Sequence, residues 1–128
     1  MTKTAFLFAG QGAQYIGMGR DLYDHYPIVK ETIDQASQVL GYDLRDLIDN
    51  DEAKLNQTRY TQPAILATSV AVYRLLKEKG YQPDMVAGLS LGEYSALVAS
   101  GALDFEDAVD LVAKRGAYME EAAPAGSG

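Results

Sequence analysis

Apolar positions along the chain fall into two short runs and four longer helical patterns. The two runs, residues 4–8 and 85–88, lie next to glycine or proline and predict short buried strands. The first helical pattern begins at Pro27, ends before Gly41 and places its apolar residues on one face. These residues are Val29, Ile33, Ala36, Val39 and Leu40.

The second helical pattern is apolar nearly all round in its first half, which is typical of a buried helix. We expect Thr61 to cap this helix and Pro63 to lie near its start. The helix is expected to end at Lys79, with Gly80 as its stop. Further helices are predicted over residues 90–100, followed by Gly101, and over residues 105–119, capped by Asp104.

Three stretches without periodicity are predicted to be irregular: residues 10–19, 49–60 and 122–128. The remaining order is strand, helices, strand, helices, which indicates an α/β fold with a parallel pair of strands. Two strands are too few for a stable parallel sheet, which needs partner strands and cover on both faces. We therefore expect residues 1–128 to be part of a larger α/β-hydrolase-like parallel-sheet domain with mostly helical connections.

The composition fits one globular unit and excludes several functions. The chain has 128 residues, of which 48% are hydrophobic, and its net charge of −7 opposes general nucleic-acid binding. With no cysteine and the single histidine His25, we expect no metal site and no cofactor. No run reaches the ~18 apolar residues of a membrane helix, and the N-terminal run is too short for a signal peptide. We expect a cytoplasmic protein that does not bind membranes.

The sequence Gly88-Leu89-Ser90-Leu91-Gly92 matches the pattern Gly-x-Ser-x-Gly, between an apolar strand and a small-residue helix. A sharp turn there lifts the serine hydroxyl clear of the sheet, and both flanking positions must be glycine because side chains would collide. Ser90 is therefore a candidate nucleophile, and the Leu91 N–H is available to a developing oxyanion. The alternative is that the two glycines serve only tight packing of strand against helix.

A second glycine turn, Gly10-Gln11-Gly12, follows the first predicted strand. Neighbouring parallel strands place the loops at their C-terminal ends side by side, where ligands bind in open α/β sheets. A backbone N–H from this turn would then complete a two-donor oxyanion hole with Leu91. Tyr15 stands where a dinucleotide fingerprint has its third glycine, so that motif is excluded. An ordinary turn is the alternative.

The last predicted helix carries Arg115 in the middle of an apolar face. The other members of that face are Ala108, Leu111, Val112, Tyr118 and Met119. A guanidinium that faces a protein interior needs an anion or several acceptors, and the sequence shows no matching acid on a nearby helix face. A substrate carboxylate held by two hydrogen bonds is one candidate partner. The alternative is an arginine that extends to solvent near the helix C-terminus.

Four short blocks, spread over nearly the whole chain, carry a family resemblance. The blocks are Phe8-Ala9-Gly10-Gln11-Gly12-Ala13-Gln14, Thr61-Gln62-Pro63-Ala64, Gly88-Leu89-Ser90-Leu91-Gly92-Glu93-Tyr94 and Arg115-Gly116. In this order they resemble the malonyl-CoA:acyl carrier protein transacylases. The four blocks together are far more specific than any one of them alone.

The resemblance implies an acyltransferase of fatty-acid synthesis whose partners are malonyl-CoA and acyl carrier protein. Ser90 would be the acylated nucleophile, and the backbone amides of Gln11 and Leu91 would form the oxyanion hole. Arg115 would hold the malonyl carboxylate, and Gln62 would line the pocket. Malonyl would pass from the coenzyme A thioester to Ser90 and then to the phosphopantetheine thiol of acyl carrier protein.

The chain departs from the family pattern in two ways. Leu89 stands where the family usually has a histidine, at a position in front of the nucleophile that does not act as the general base. The family's catalytic histidine and its ferredoxin-like subdomain lie beyond position 128, so a missing C-terminal segment or a second chain would carry the base. His25 precedes Ser90 by more than 60 residues, and we expect it to be a surface or capping residue.

Two other functions remain open at this point. A serine esterase of the α/β type would use the same turn, and it would tolerate Arg115→Ala when its esters are uncharged. A non-catalytic fragment or binding module is also possible, because a serine without a base is a weak nucleophile. We therefore expect the 128-residue chain alone to be inactive or impaired as a transacylase.

Overall fold

Two four-residue strands, β1 (Ala5–Phe8) and β2 (Met85–Gly88), form a parallel pair in which Phe8 lies opposite Gly88. The computed structural model describes residues 4–88 and 90–122 of the chain, and within these ranges the sheet has these two strands. The predicted parallel pair is confirmed. Because the strands are parallel, the connections that follow Phe8 and Gly88 leave the sheet at the same edge.

The strands are less buried than the apolar runs predicted. Burial alternates along both of them, and the Leu7 and Met85 side chains are 81% and 64% exposed. Phe6 and Phe8 point the other way and pack edge-on against the Tyr73 ring, with ring centroids 6.1 and 6.3 Å apart. One face of the described sheet is therefore covered by a helix, and the prediction of fully buried strands is wrong for these residues.

Seven helices lie within residues 4–88 and 90–122. They are α1 (Arg20–His25), α2 (Pro27–Leu40), α3 (Leu44–Asn50), α4 (Glu52–Leu55), α5 (Thr58–Glu78), α6 (Leu91–Ala99) and α7 (Phe105–Ala122). The long helix α5 lies at the centre, and α2, α6 and α7 pack against it. Its Leu66 and Val70 are fully buried, together with Ile33 of α2 and Val112 of α7. None of the described helices has the length and apolar character that crossing a membrane requires.

Residues 49–60 are not the loop that their polarity predicted. They contain the end of α3, all of α4 and the start of α5. Two aspartates cap these helices: Asp43 accepts a hydrogen bond from the Asp46 N–H, and Asp51 accepts one from the Lys54 N–H. A single apolar side chain, that of Leu55, is buried and anchors the short α4 in the core. Local periodicity misses such helices because caps and one long-range contact hold them.

Helix α5 begins at Thr58, earlier than predicted, and Thr61 is not its cap. The Thr61 hydroxyl is buried inside the helix and contacts the backbone carbonyls of Leu55 and Gln57. Pro63 lies inside α5, in its second turn. The N-terminal extension matters for the site, because it places Thr58 beside the loop that follows β1.

The other predicted bounds agree closely with the structure. Helix α2 runs from Pro27 to Leu40 and ends on Gly41, which has a positive φ of 81°. Helix α6 is one residue shorter than predicted at each end, and α7 extends three residues further, to Ala122. Most of the tail predicted over residues 122–128 lies outside the described residues.

Candidate active site

Ser90 occupies the turn between β2 and α6, with an exposed side chain. Its backbone dihedrals are φ 55° and ψ −113°, and among the described residues it is the non-glycine residue with positive φ. Such a conformation costs of order 1–3 kcal/mol and persists only where the surroundings hold it. The hydroxyl stands at the N-terminal, positive end of α6. Leu89 lies outside the described residues.

The glycines on either side of Ser90 are required by close backbone contacts. A Cβ on Gly88 would lie 2.1 Å from the backbone of Gly92, and a Cβ on Gly92 would lie 2.4 Å from the carbonyl oxygen of Phe8. No side chain fits at these separations. The steric reason predicted for the Gly-x-Ser-x-Gly pattern is therefore confirmed, and the same contacts press the start of α6 against the end of β1.

The loop after β1 is fastened to the junction between α4 and α5. The Gln11 side chain donates to the Thr58 hydroxyl (3.1 Å), and the Gln14 side chain donates to Asn56 Oδ1 (3.0 Å). Gln14 also accepts a hydrogen bond of 2.8 Å from the Gly12 N–H, which closes the turn. The side chains of this loop therefore hold its backbone in place at the edge of the sheet where Ser90 lies.

The backbone amides of Gln11 and Leu91 occupy matching positions in the two loops. Phe8 and Gly88 are paired in the sheet. Gln11 follows Phe8 by three residues, and Leu91 follows Gly88 by three residues. Within residues 4–88 and 90–122, neither N–H has a hydrogen-bond acceptor. An oxyanion hole needs two unpaired N–H groups, so both amides remain candidates for that role.

Arg115 reaches the serine from α7. Its Nη2 donates to Ser90 Oγ (3.0 Å), and its Nη1 donates to Gln62 Oε1 (2.9 Å). The guanidinium carbon also lies 5.4 Å from the centre of the Tyr94 ring. No carboxylate in the described part of the chain forms a salt bridge with Arg115. Its half-buried charge therefore has neutral partners and is available to an anion beside Ser90.

Gln62 links Arg115 to a residue that the sequence analysis did not select. The Gln62 side chain is fully buried, and its Nε2 donates to the Met119 sulfur at 3.0 Å. Met119 contacts Gln62, and the Tyr94 ring lies beside the Arg115 guanidinium. Neither was predicted as a site residue. Tyr94 lies four residues after Ser90, about one helical turn along α6, and this spacing is the signal that could have identified it.

The face of α7 that meets the protein differs from the predicted one. Leu111, Tyr118 and Met119 are 44%, 69% and 40% exposed, so the predicted stripe is only partly buried. The helix instead contacts α5 through Gly116, where an added Cβ would lie 2.7 Å from the Thr58 carbonyl oxygen. This close approach carries the neighbouring Arg115 to the site.

His25 has no part in this arrangement. It is exposed at the end of α1, and its Nδ1 donates to the Asp21 carbonyl oxygen at 2.7 Å, as expected for a surface residue that caps a helix. In the described ranges, Arg115 is the only side chain that hydrogen-bonds to the Ser90 hydroxyl, so none of their histidines or carboxylates is placed as its base. The described residues thus bring together the Ser90 hydroxyl and the Arg115 guanidinium.

The sequence matches the model of one protein family over residues 5–128. That family is described as an acyl transferase domain. The chain belongs to the acyl transferase domain family. Membership agrees with the serine turn, with the two loops at one sheet edge and with the α/β fold predicted from the sequence.

Relatives of this chain are named as malonyl transacylases. The chain is 54% identical over 129 residues to the malonyl CoA-acyl carrier protein transacylase of Bacillus subtilis. The aligned region covers 100% of this chain and 41% of that protein. The crystal structure of MCAT from Streptococcus pneumoniae is 91% identical, with a TM-score of 0.94, over 95% of this chain and 40% of that one. These similarities confirm the resemblance predicted from the four sequence blocks.

A third relative is a malonyl-transacylase solved in complex with its type II PKS acyl-carrier protein. It is 50% identical to this acyltransferase chain, with a TM-score of 0.92, over 96% of this chain and 40% of that one. The chain therefore spans about two fifths of the length of each relative named here. The match lies in the part that carries the serine turn and Arg115.

Proposed function

We propose that this chain is the N-terminal portion of a malonyl-CoA:acyl carrier protein transacylase in which Ser90 carries the malonyl group. The observation that supports this best is the 3.0 Å hydrogen bond from Arg115 to the Ser90 hydroxyl. A malonyl group has its carboxylate two bonds from the thioester carbonyl carbon. A cation at hydrogen-bond distance from the nucleophile is therefore placed to bind that carboxylate while the hydroxyl faces the carbonyl.

In the first half-reaction, Ser90 Oγ attacks the thioester carbonyl of malonyl-CoA and its proton goes to a general base. The N–H groups of Gln11 and Leu91 stabilise the oxyanion of the tetrahedral intermediate. The C–S bond then breaks, the coenzyme A thiolate takes a proton and leaves, and a malonyl ester remains on Ser90. In the second half, the thiol of acyl carrier protein attacks this ester, and Ser90 recovers its proton.

The general base comes from outside the described residues in this proposal. A histidine in a C-terminal segment or in a second chain would supply it, and that segment would also carry a ferredoxin-like subdomain. The relatives' greater length supports this division, because this chain spans about 41% of the Bacillus subtilis protein. We place the reaction in the cytoplasm, together with acyl carrier protein. Without the base, the 128-residue chain should acylate slowly or not at all.

The experiment that tests the proposal is detection of a malonyl adduct on the longer protein after incubation with malonyl-CoA. Intact mass should show one added malonyl group, and peptide mapping should place it on Ser90. Ser90→Ala should abolish the adduct. Ser100→Ala is the matched control, because Ser100 is an exposed serine at the other end of α6 whose hydroxyl donates to the Leu97 carbonyl oxygen. An adduct retained by Ser90→Ala would reject the assignment.

A variant of Arg115 distinguishes the proposed malonyl transacylase from a serine esterase. Removal of a charge-assisted partner of the bound carboxylate should lower kcat/KM for malonyl transfer by roughly 10-fold to 150-fold in Arg115→Ala. Acetyl transfer, which offers Arg115 no carboxylate, should not fall. Lys114→Ala is the control, since Lys114 is exposed and pairs with Asp110 instead. An equal effect on malonyl and acetyl groups would contradict the carboxylate-binding role.

A further inference from the structure

The side-chain amide of Gln62 lies between one group that can only donate hydrogen bonds and another that can only accept them. Its Oε1 receives a hydrogen bond from Arg115 Nη1 (2.9 Å), and its Nε2 donates to Met119 Sδ (3.0 Å). Gln62 is fully buried, so water does not compete for either end of the amide. A guanidinium can only donate, and a thioether sulfur can only accept.

This pairing selects one of the two orientations of the amide. Rotation by 180° would turn the Nε2 hydrogens toward the guanidinium hydrogens and the carbonyl oxygen toward the sulfur lone pairs. Both contacts would then be repulsive. With a purely apolar side chain at position 119, the buried Nε2 would lose its acceptor, and the present orientation would lose its advantage at that end.

The direction of the Arg115 guanidinium depends in turn on Gln62. Within the described residues, Arg115 has two hydrogen-bond acceptors, Gln62 Oε1 and Ser90 Oγ, and the Tyr94 ring lies 5.4 Å from the guanidinium carbon. If Oε1 turned away, Nη1 would lose its acceptor while Nη2 alone held the group beside Ser90. The guanidinium would then rotate more freely about its side-chain bonds.

We propose that Met119 is a positioning residue for the arginine: its sulfur holds the Gln62 amide in the orientation that aims the Arg115 guanidinium at Ser90. The consequence for specificity rests on the function proposed above, because it concerns how strongly Arg115 favours an acyl group with a carboxylate. Met119 has no role of its own toward a neutral acyl group. It acts only through Gln62 and Arg115.

The test compares Met119→Leu, which keeps apolar volume but removes the acceptor, with Met119→Gln, which has a similar length and restores an acceptor oxygen. In the longer protein, Met119→Leu should lower kcat/KM for malonyl transfer about fivefold or more through KM, and should leave acetyl transfer within about twofold. Met119→Gln should retain the wild-type ratio. Met85→Leu is the control, because Met85 is an exposed methionine at the far end of the sheet.

A double variant separates positioning from general damage to the fold. If Met119 acts through the arginine, Met119→Leu should have no further effect on malonyl transfer in an Arg115→Ala background. Equal losses for malonyl and acetyl groups in Met119→Leu, or the same loss with and without Arg115, would overturn the proposal. So would failure of Met119→Gln to restore the ratio.

A second readout does not depend on the proposed function. In side-chain nitrogen NMR of the longer protein, Arg115 should show separate Nη1 and Nη2 signals, because their acceptors differ, and the Gln62 amide should be resolved. Met119→Leu should shift the Gln62 amide and merge the Arg115 signals, whereas Met119→Gln should not. Unchanged spectra in Met119→Leu would overturn the positioning role. A wild-type protein that does not prefer malonyl would contradict the proposed function, while the spectra would still decide the role of Met119.

Discussion

Replacement of Gly116 by alanine tests how closely the site depends on the contact between α5 and α7. Gly116 is buried where α7 crosses the first turn of α5, and a Cβ there would lie 2.7 Å from the Thr58 carbonyl oxygen and 2.8 Å from Arg59 Cα. Both atoms belong to helix backbone, so neither can rotate away. The added methyl group must push the two helices apart or bend α7.

The magnitude follows from two opposing terms. Alanine in place of glycine inside a helix stabilises it by about 1 kcal/mol, whereas overpacking costs about 1–3 kcal/mol. Restoration of ordinary contact distances requires a helix displacement of roughly 0.3–0.7 Å. Arg115 is the next residue along α7 and moves with the helix. Since a misplacement of about 1 Å costs on the order of 100-fold in rate, we expect malonyl transfer to fall about tenfold.

The assay combines urea unfolding with malonyl-transfer kinetics on the longer protein. Gly116→Ala should unfold at the same or a lower urea concentration than wild type, despite its better helix propensity, and should transfer malonyl more slowly. Tyr118→Ala is the control, because Tyr118 lies on the same helix, is 69% exposed and should change stability by less than about 0.5 kcal/mol. The reasoning would be refuted if the free energy of unfolding of Gly116→Ala rose by the full amount of about 1 kcal/mol expected from helix propensity and the variant kept its activity.

Three further predictions address other parts of the structure. Gly92→Ala places a Cβ 2.4 Å from the Phe8 carbonyl oxygen, so urea unfolding should show a loss of about 1–3 kcal/mol and the serine adduct should disappear; an unchanged variant would contradict the strand–helix contact. Asp49→Asn leaves the buried Arg45 without its carboxylate, and thermal unfolding should show a loss of roughly 3 kcal/mol. Burial alone would raise the pKa of Asp49. The hydrogen bonds from Arg45 and Arg20 have the larger combined effect, so the net pKa lies below its ordinary value of 3.8. The stability from this carboxylate is therefore complete above about pH 5 and is lost as the pH falls through 3.8 and below, and Asp49→Asn should flatten that acid dependence.

The serine turn was predictable because its sequence signature, a glycine two residues before and two residues after the serine, is local. Gly88 and Gly92 each approach backbone within 2.4 Å of where a Cβ would lie, and that constraint acts on positions two residues from Ser90. Helix α2 was predictable for a similar reason, since a proline starts it, a glycine ends it and one face is apolar. The contact of Gly88 with Gly92 is local, whereas the contact of Gly92 with Phe8 joins residues far apart along the chain and was not needed for the prediction.

The helices over residues 44–58 and the exposure of the strands were not predictable in this way. Capping by Asp43 and Asp51 and burial of Leu55 hold short helices that have too few turns to show a period. The strands were expected to be buried because their runs are apolar, yet Leu7 is 81% exposed in the described structure. Hydropathy indicates whether a side chain favours a buried environment. Whether the side chain is buried depends on which other segments pack against it.

For Arg115, the sequence predicted the need for hydrogen-bond acceptors but not the residues that supply them. Its place on an apolar helix face predicted a cation that needs acceptors, and the sequence showed no acid to match it. The structure supplies Gln62 from a helix 53 residues earlier and Ser90 from a turn 25 residues earlier, both of them neutral. Neutral acceptors satisfy the guanidinium's hydrogen-bond donors without cancelling its charge, whereas an aspartate or glutamate there would have formed an ion pair. An arginine held in this way suits the proposed binding of a carboxylate beside Ser90, because a charge that no ion pair has neutralised attracts an anion more strongly than a compensated one.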